Sequence, residues 1–411
     1  MSRLTNQTNS FPISDIKVLD LSWGVVGPYI TKMMGNFGAK VIKLESIHSP
    51  EILRRATPYK DNKPGLNRAF IFAMINTDKL SISVNLHTSR GVEICRRLMC
   101  WADVVICNFI GDRLDKMGLS YKKISADNPK LIMVDTTSQG LTGPYAKHPG
   151  YGYQAVALSG FTNLTGWPDR EAVGPVGAYT DMIAPWFIAV AVMGALIHRD
   201  KTGNGQFIDL SQQESSMHML TPALLQYTLN GEVMNKRGNK DDVAVPHNVY
   251  PCKGEERWCA LGIFNESQWD ALGEVMEKPS WFGRDIYSTP TKRRAHEREL
   301  DDLIGGWSSE YEAEELMKKL QKAGIPAGVV KNVKDVFEDP QLAYRGHFQV
   351  IEHPELGSYR ASKTPIRMLN CSNKPMCRAP LLGEHTEPIC REILGMTDKE
   401  LAQLINEGVL E

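Results

Sequence analysis

The chain has 411 residues, enough for two domains or one large interrupted domain. Its 47 basic and 48 acidic residues leave a net charge of -1, which excludes the basic excess of a nucleic-acid binder. With 42% hydrophobic and 23% charged residues the composition is globular, and the polar residues 1–11 lack the apolar core of an export signal.

In chain order, residues 17–21 read as a short apolar strand. A turn with Gly24 and Gly27 leads to a helix over about 28–36, with Gly38 placed as a C-cap glycine. Residues 41–44 form the next strand, which ends at Glu45. Two parallel strands and one crossover helix make a βαβ unit. The alternation continues with a strand at 81–84, a helix at 91–101, a strand at 104–106, a turn or short helix at 114–117 and a strand at 131–134. This pattern predicts an α/β fold with a mostly parallel sheet. A loop over 138–153 follows, rich in glycine. The apolar run 182–197 then reads as a buried core helix, because it is shorter than the roughly twenty residues of a bilayer span. A strand at 206–210 and a helix at 213–229 close this first part.

The composition then changes. Residues 1–229 are read as the N-terminal part of a large domain, and the polar, charged stretch 230–247 as a linker. Residues 248–330 read as a smaller α/β unit, with strands near Val249 and Cys259 and helices at 268–275, 294–307 and 310–323. Residues 331–377 read as a second linker with an edge segment, and 378–411 as a helical return to the large domain.

Candidate chemistry starts at the first βα turn. Glycines there let the backbone approach a phosphate, and a helix N-terminus favours an anion. However, the turn over 22–28 lacks G-x-G-x-x-G, and Glu45 sits where a dinucleotide fold places a ribose-binding acid. The alternative is that the glycines only turn the chain and Glu45 is solvated. Asp181 precedes the apolar helix, with Pro185 in the first turn, so it reads as an N-cap. The same position suits a carboxylate nucleophile, which is ionised at neutral pH without a partner base. No G-x-S-x-G elbow occurs, and His148, His198, His218 and His247 have no metal-ligand spacing. The eight cysteines form no C-x-x-C pair; in a large chain without an export signal they are expected to be reduced, in the cytoplasm or an equivalent compartment. Cys371 and Cys377, which flank a Lys-Pro turn, are bystanders on this reading.

Several segments in shared order resemble the class III CoA-transferase family, the group that includes formyl-CoA:oxalate and carnitine CoA-transferases. They are residues 18–28, 38–45, 76–81 and 108–118, the run Gly-Ala-Tyr-Thr-Asp at 177–181, residues 196–206, and 378–386. The resemblance covers about 16–409. It implies a Rossmann-like large domain and a smaller α/β domain, joined by two linkers in an interlocked dimer with the active site near the dimer interface. It implies that Asp181 is the catalytic nucleophile and carries an aspartyl-CoA thioester between mixed anhydrides. No cofactor is tightly bound; coenzyme A enters as acyl-CoA substrate. The CoA-binding positions it carries over are Trp23, Gly24 and Val25 in the turn, Arg54, Asn108, Phe109 and Lys116.

Departures are also visible. Ser46 stands where the oxalate enzyme has a basic residue, which moves phosphate contacts toward Arg54 or Arg55. An acidic active-site residue of that enzyme corresponds to Gly152, and its covering glycine-rich loop is absent, so oxalate is not the expected substrate. Succinyl-CoA is a common donor in the family, with a dicarboxylate or an aryl-substituted succinate as acceptor. Tyr151, Tyr153, Phe161 and Trp186 are either an acceptor pocket or ordinary packing. A 2-methylacyl-CoA racemase shares the fold and the aspartate, but the histidine it needs corresponds to Tyr151. A non-catalytic subunit of a hetero-oligomer is the other alternative. The expected partners are an acyl-CoA, a small carboxylic acid and a second copy of the chain; no nucleic acid or membrane is expected.

Overall fold

Short apolar runs rich in Val, Ile and Leu form the strands, as expected where both faces of a sheet are covered. In the computed structural model, which describes residues 11–371 and 375–411, these runs pair into one six-stranded parallel sheet. The polar start over residues 1–10 and part of the turn between Cys371 and Cys377 lie outside the described residues. The chain divides into two compact units, one running up to Thr162 with Gly174–Val233 and Tyr344–Glu411, the other Asn163–Val173 with Met234–Ala343.

The first unit contains β1 (Lys17–Asp20), α1 (Val26–Asn36), β2 (Lys40–Glu45), α2 (Phe70–Ile75), β3 (Lys79–Ser83), α3 (Ser89–Trp101), β4 (Val104–Cys107), α4 (Arg113–Lys116), α5 (Tyr121–Asp127) and β5 (Ile132–Thr137). It continues with α6 (Gly152–Leu158), α8 (Tyr179–Thr202), β6 (Gln206–Ser211), α9 (Gln212–Met217) and α10 (Thr221–Asn230), while the short α7 (Phe161–Leu164) spans the point where the chain passes from the first unit to the second. The strand order is β3-β2-β1-β4-β5-β6, with every neighbouring pair parallel. The order reverses between β1 and β4, so a crevice opens at their carboxyl ends, where such sheets bind ligands.

Alternate residues of each strand face opposite layers. Val18, Val41, Val104 and Ile132 pack with Ile30 and Met34 of α1 and Ala184, Ile188 and Val192 of α8. Leu19, Ile42, Val105 and Met133 pack with Leu98 of α3 and with Leu401 and Leu404 of the terminal helix Asp398–Asn406. The chain end is tied to the sheet: Asn85 N–H donates to the Val409 carbonyl at 2.9 Å, and the Ser46 hydroxyl donates to the Glu411 carboxylate at 2.8 Å.

Two sequence expectations change here. Asp181 is not an N-cap. The helix starts at Tyr179 after Ala178, which makes Asp181 its third residue, inside the first turn. Nor is α8 buried all round. Its Ile188 and Val192 are in the core, while Met182, Trp186, Val190 and Ile197 are exposed. Among the described residues it is the one helix long and apolar enough to cross a membrane, yet one side of it is packed on the sheet. The edge segment expected within 331–377 is the antiparallel hairpin β10 (Phe348–His353) and β11 (Gly357–Ser362).

The second unit has a three-stranded antiparallel sheet, β7 (His247–Pro251), β8 (Trp258–Gly262) and β9 (Ala327–Val329), in order β7-β8-β9. Its helices α11 (Glu266–Val275), α12 (Pro290–Ala295), α13 (Glu297–Ser308) and α14 (Ala313–Lys322) contribute to a core that includes Trp269, Leu272, Leu300, Leu316 and Leu320.

Candidate active site

The first βα turn rests on buried charge. Asp20, at the end of β1, accepts hydrogen bonds from the Ser22 and Thr31 hydroxyls and from the Lys79 ammonium at 2.9 Å. Burial alone would raise its pKa, but Lys43 and Lys79 hold it well below the usual carboxylate range. Lys43 Nζ donates to the Ser22 carbonyl at 2.8 Å, so the strand end and the turn are fixed together. Gly24 has φ of +77°, a conformation that suits glycine.

Asn108 follows β4 across the switch point, and its side-chain amide brackets Trp23. Trp23 N–H donates to Asn108 Oδ1 at 2.9 Å, and Asn108 Nδ2 donates to the Trp23 carbonyl at 2.7 Å. Asn108 therefore shapes the turn. Beside it, a cleft of about 440 Å³ opens beyond the carboxyl ends of β1 to β4. Trp23, His87, Phe109, Arg113 and Lys116 are among its lining residues. The size falls in the range of small-molecule sites. The Arg113 guanidinium lies 5.0 Å from the Phe109 ring centroid, within cation–π reach. Lys116 is exposed and pairs with Asp112 at 2.9 Å. Such an exposed pair is weak, so its ammonium is free to turn to a phosphate. Arg113 and His87 were not singled out from sequence; the available signal was that Arg113 lies three residues before Lys116, on one helical face.

Arg54 is a correction. It is 1% exposed, and all its donors are taken. Nε and Nη2 reach Glu45 at 2.7 and 2.8 Å, Nη1 donates to Asn67 and to the Leu66 carbonyl, and Nη2 also reaches the Pro380 carbonyl. The guanidinium carbon stacks 3.6 Å over the Phe72 ring. Arg54 is a structural cation, and Glu45 is its buried partner rather than a solvated acid: it lies in the cleft wall with both carboxylate oxygens bound to Arg54. Gly24, Val25 and Asn108 hold the turn but are not among the residues that line the cleft.

Asp181 lies outside that lining as well. It is 9% exposed, and among the described residues no group donates to its carboxylate and no cation pairs with it. Burial pushes its pKa up to about 6, even in the first turn of a helix, where the dipole favours the anion. Its closest constraint is a glycine. A Cβ on Gly152, at the start of α6, would sit 2.8 and 2.9 Å from the two carboxylate oxygens and 2.1 Å from the Ala178 Cβ. Thr180 Oγ1 donates to the Gly152 carbonyl at 3.3 Å, which fastens the two helix starts together. The arrangement presents a nearly buried, unpaired carboxylate above bare backbone.

The four aromatics do not form one pocket. Phe161 packs with Val156 and Ile183 in a small core and meets Tyr179 edge-on at 5.4 Å. Tyr151, Tyr153 and Trp186 are exposed.

A profile described as CoA-transferase family III matches residues 13–386. The chain is 30% identical to a succinyl-CoA–L-malate CoA-transferase alpha subunit of Chloroflexus aurantiacus over 410 residues, 97% of this chain and 92% of that one. It is 29% identical to the human succinyl-CoA:glutarate CoA-transferase over 412 residues, 99% of this chain and 92% of that one. The crystal structure of a CAIB/BAIF family protein from Brucella suis superposes with a TM-score of 0.86 at 30% identity, covering 93% of this chain and 100% of that one.

Proposed function

The chain belongs to CoA-transferase family III and is a CoA-transferase, and we propose that it moves CoA from succinyl-CoA to a short dicarboxylic acid through covalent intermediates on Asp181. The observation that carries this reading is the bare carboxylate of Asp181, buried without a counter-charge and with a glycine in place of any neighbour that would crowd it. Such a carboxylate costs stability; chemistry is the reason to keep it.

The cycle has four balanced steps. A carboxylate oxygen of Asp181 attacks the donor thioester carbon, the C–S bond breaks, and the CoA thiolate leaves a mixed anhydride. The thiolate attacks the Asp181 side-chain carbonyl carbon, releases the donor carboxylate and forms an aspartyl-CoA thioester. The acceptor carboxylate displaces the thiolate to give a second anhydride. The thiolate then attacks the acceptor acyl carbon, and Asp181 leaves as a carboxylate. The thioester energy is conserved throughout. Exclusion of water, supported here by the burial of Asp181, protects the anhydrides.

Trp23, Phe109 and Lys116 are proposed to meet the nucleotide end of CoA in the cleft, joined by Arg113. Arg113→Ala and Lys116→Ala are each expected to raise KM for the CoA thioester about fivefold, with kcat unchanged and with a steeper loss at higher salt. Initial rates against succinyl-CoA concentration at two ionic strengths check this. An unchanged KM in both variants would remove the phosphates from this rim.

The exposed apolar faces of α8 (Val190, Ile197) and α10 (Leu225, Leu229) support assembly with a second copy. We propose the interlocked homodimer, with residues 230–247 and 331–377 as its linkers and a cytoplasmic location. The alpha-subunit name of one relative keeps a heteromer as the second reading. Turnover by the purified chain alone decides between them. A racemase role would need a second acid or base at Asp181, and the side chains described here bring no hydrogen-bonding titratable group to it. Solvent deuterium entering the α-carbon of a branched acyl-CoA would establish it.

The function is tested by a donor–acceptor matrix, with succinyl-CoA against malate, citramalate, glutarate and aryl-substituted succinates and thioester products read by mass spectrometry. Transfer to at least one dicarboxylate is expected; transfer only to monocarboxylates would overturn the assignment of the acceptor. The pH dependence follows from the raised pKa. The nucleophile is the ionised form, so kcat/KM for the thioester falls tenfold per pH unit below about 6 and is level above it. A profile level down to pH 4.5 would separate the acylation step from this carboxyl.

A further inference from the structure

We infer that Glu51 is a positioning residue: its buried side chain clamps the Trp23–Gly24 turn and so sets the cleft's affinity for the CoA thioester. The inference rests on the reading of the cleft as the CoA site. Glu51 is fully buried, in the loop after β2, and is not among the residues lining the cleft. Its Oε1 accepts two backbone N–H groups, from Leu53 at 3.1 Å and from Gly24 at 2.8 Å. The first bond caps the single 3-10 turn Ile52–Arg55. The second reaches 27 residues back along the chain, to the left-handed glycine of the first βα turn.

Together with Asn108, Glu51 fixes three successive main-chain groups: Trp23 N–H, Trp23 C=O and Gly24 N–H. Trp23 lines the cleft, so a loosened turn displaces a cleft wall. Capping alone does not explain a buried glutamate here. Ser or Asn caps a short turn without burying a charge. Burial pushes the Glu51 carboxyl up and Lys43 opposes this, while Oε2 has no hydrogen-bond partner. A carboxylate kept in so unfavourable a place is explained by the reach of its longer chain to Gly24. The link runs from a residue that touches no ligand, through one hydrogen bond, to a residue that lines the binding surface.

The experiment compares wild type, Glu51→Ala and Glu51→Gln by calorimetric binding of CoA and by steady-state kinetics with succinyl-CoA and a working acceptor. Glu51→Ala is expected to weaken CoA binding and raise the thioester KM about tenfold, with kcat within about twofold and the acceptor KM unchanged. Glu51→Gln retains an acceptor oxygen at Oε1 and is expected to recover most of the loss. If the alanine variant fails to fold, Glu51→Asp, whose carboxylate stops one methylene short, must show the same selective weakening. A residue that merely stabilised the fold would lower the active fraction, hence kcat, and leave both KM values alone. That pattern, or unchanged CoA affinity in the variants, overturns the clamp. The two failures separate: a wild-type protein that binds CoA and transfers nothing overturns the proposed reaction, while calorimetry still tests the clamp.

Discussion

Replacing Asp181 by Asn is expected to abolish CoA transfer and to make the protein more stable. Activity falls because an amide cannot form the anhydride; loss of a nucleophile costs on the order of 10⁴-fold or more in kcat. Stability rises because the native carboxylate is paid for in desolvation. Its pKa is raised from 3.8 to about 6, so the folded state holds a proton more tightly than the unfolded chain does. Ionised Asp181 therefore costs nothing below pH 4, progressively more between pH 4 and 6, and about 3 kcal/mol above that. The asparagine variant escapes this cost. Its melting midpoint should exceed that of wild type at pH 7 and converge with it near pH 4, as thermal melts at the two pH values will show. Asp181→Ala should be equally inactive and keep the assembly state of wild type. An Asp181→Asn protein with unchanged midpoint at pH 7 would mean that the carboxylate is compensated.

Gly152→Ala should be nearly as damaging to activity, although residue 152 has no side chain to contribute. The added methyl would lie 2.8 and 2.9 Å from the carboxylate oxygens and 2.1 Å from the Ala178 Cβ, closer than non-bonded carbon contacts allow. Either Asp181 turns away or the start of α6 moves, and both would misplace the proposed nucleophile by something near 1 Å. Displacements of that size cost about 10²-fold in reactions that depend on near-attack geometry. The expected result is a loss in kcat of about 10² or more, with CoA affinity unchanged, because the cleft that holds Trp23 and Phe109 is lined by other residues. Activity within twofold of wild type would show that the space beside Asp181 is not filled by the reaction.

Much of the frame could be read from the residues. The strands of the parallel sheet announce themselves as runs of Val, Ile and Leu, and the strand expected at 81–84 is found as Lys79–Ser83. Asp181 was legible as a special residue, but not its position in the helix. Aspartate is a strong N-cap, so its presence before an apolar run pulls the expected start forward. In the fold the preceding residues Tyr179 and Thr180 are already helical. Arg54 was misread for a similar reason. Sequence shows a basic residue after a strand ending in Glu45, but only the folded loop brings their side chains together and commits the guanidinium to the protein. The hairpin Phe348–His353 and Gly357–Ser362 was legible only as an edge segment, because its strands mix polar and apolar residues without a clean period. Gly152 was marked only by the resemblance, as the position of an acidic residue in the oxalate enzyme, and Glu51 carries no sequence signal at all. One matters through a contact 29 residues away with Asp181, the other through a bond to Gly24, and neither distance exists before folding.

The most direct test is to quench the protein during turnover with succinyl-CoA, digest it and map adducts by mass spectrometry. The expected adduct is a CoA thioester on the peptide that carries Asp181, discharged when a dicarboxylate acceptor is added. Rapid turnover with that peptide unmodified, or with the adduct on another side chain, would contradict the account.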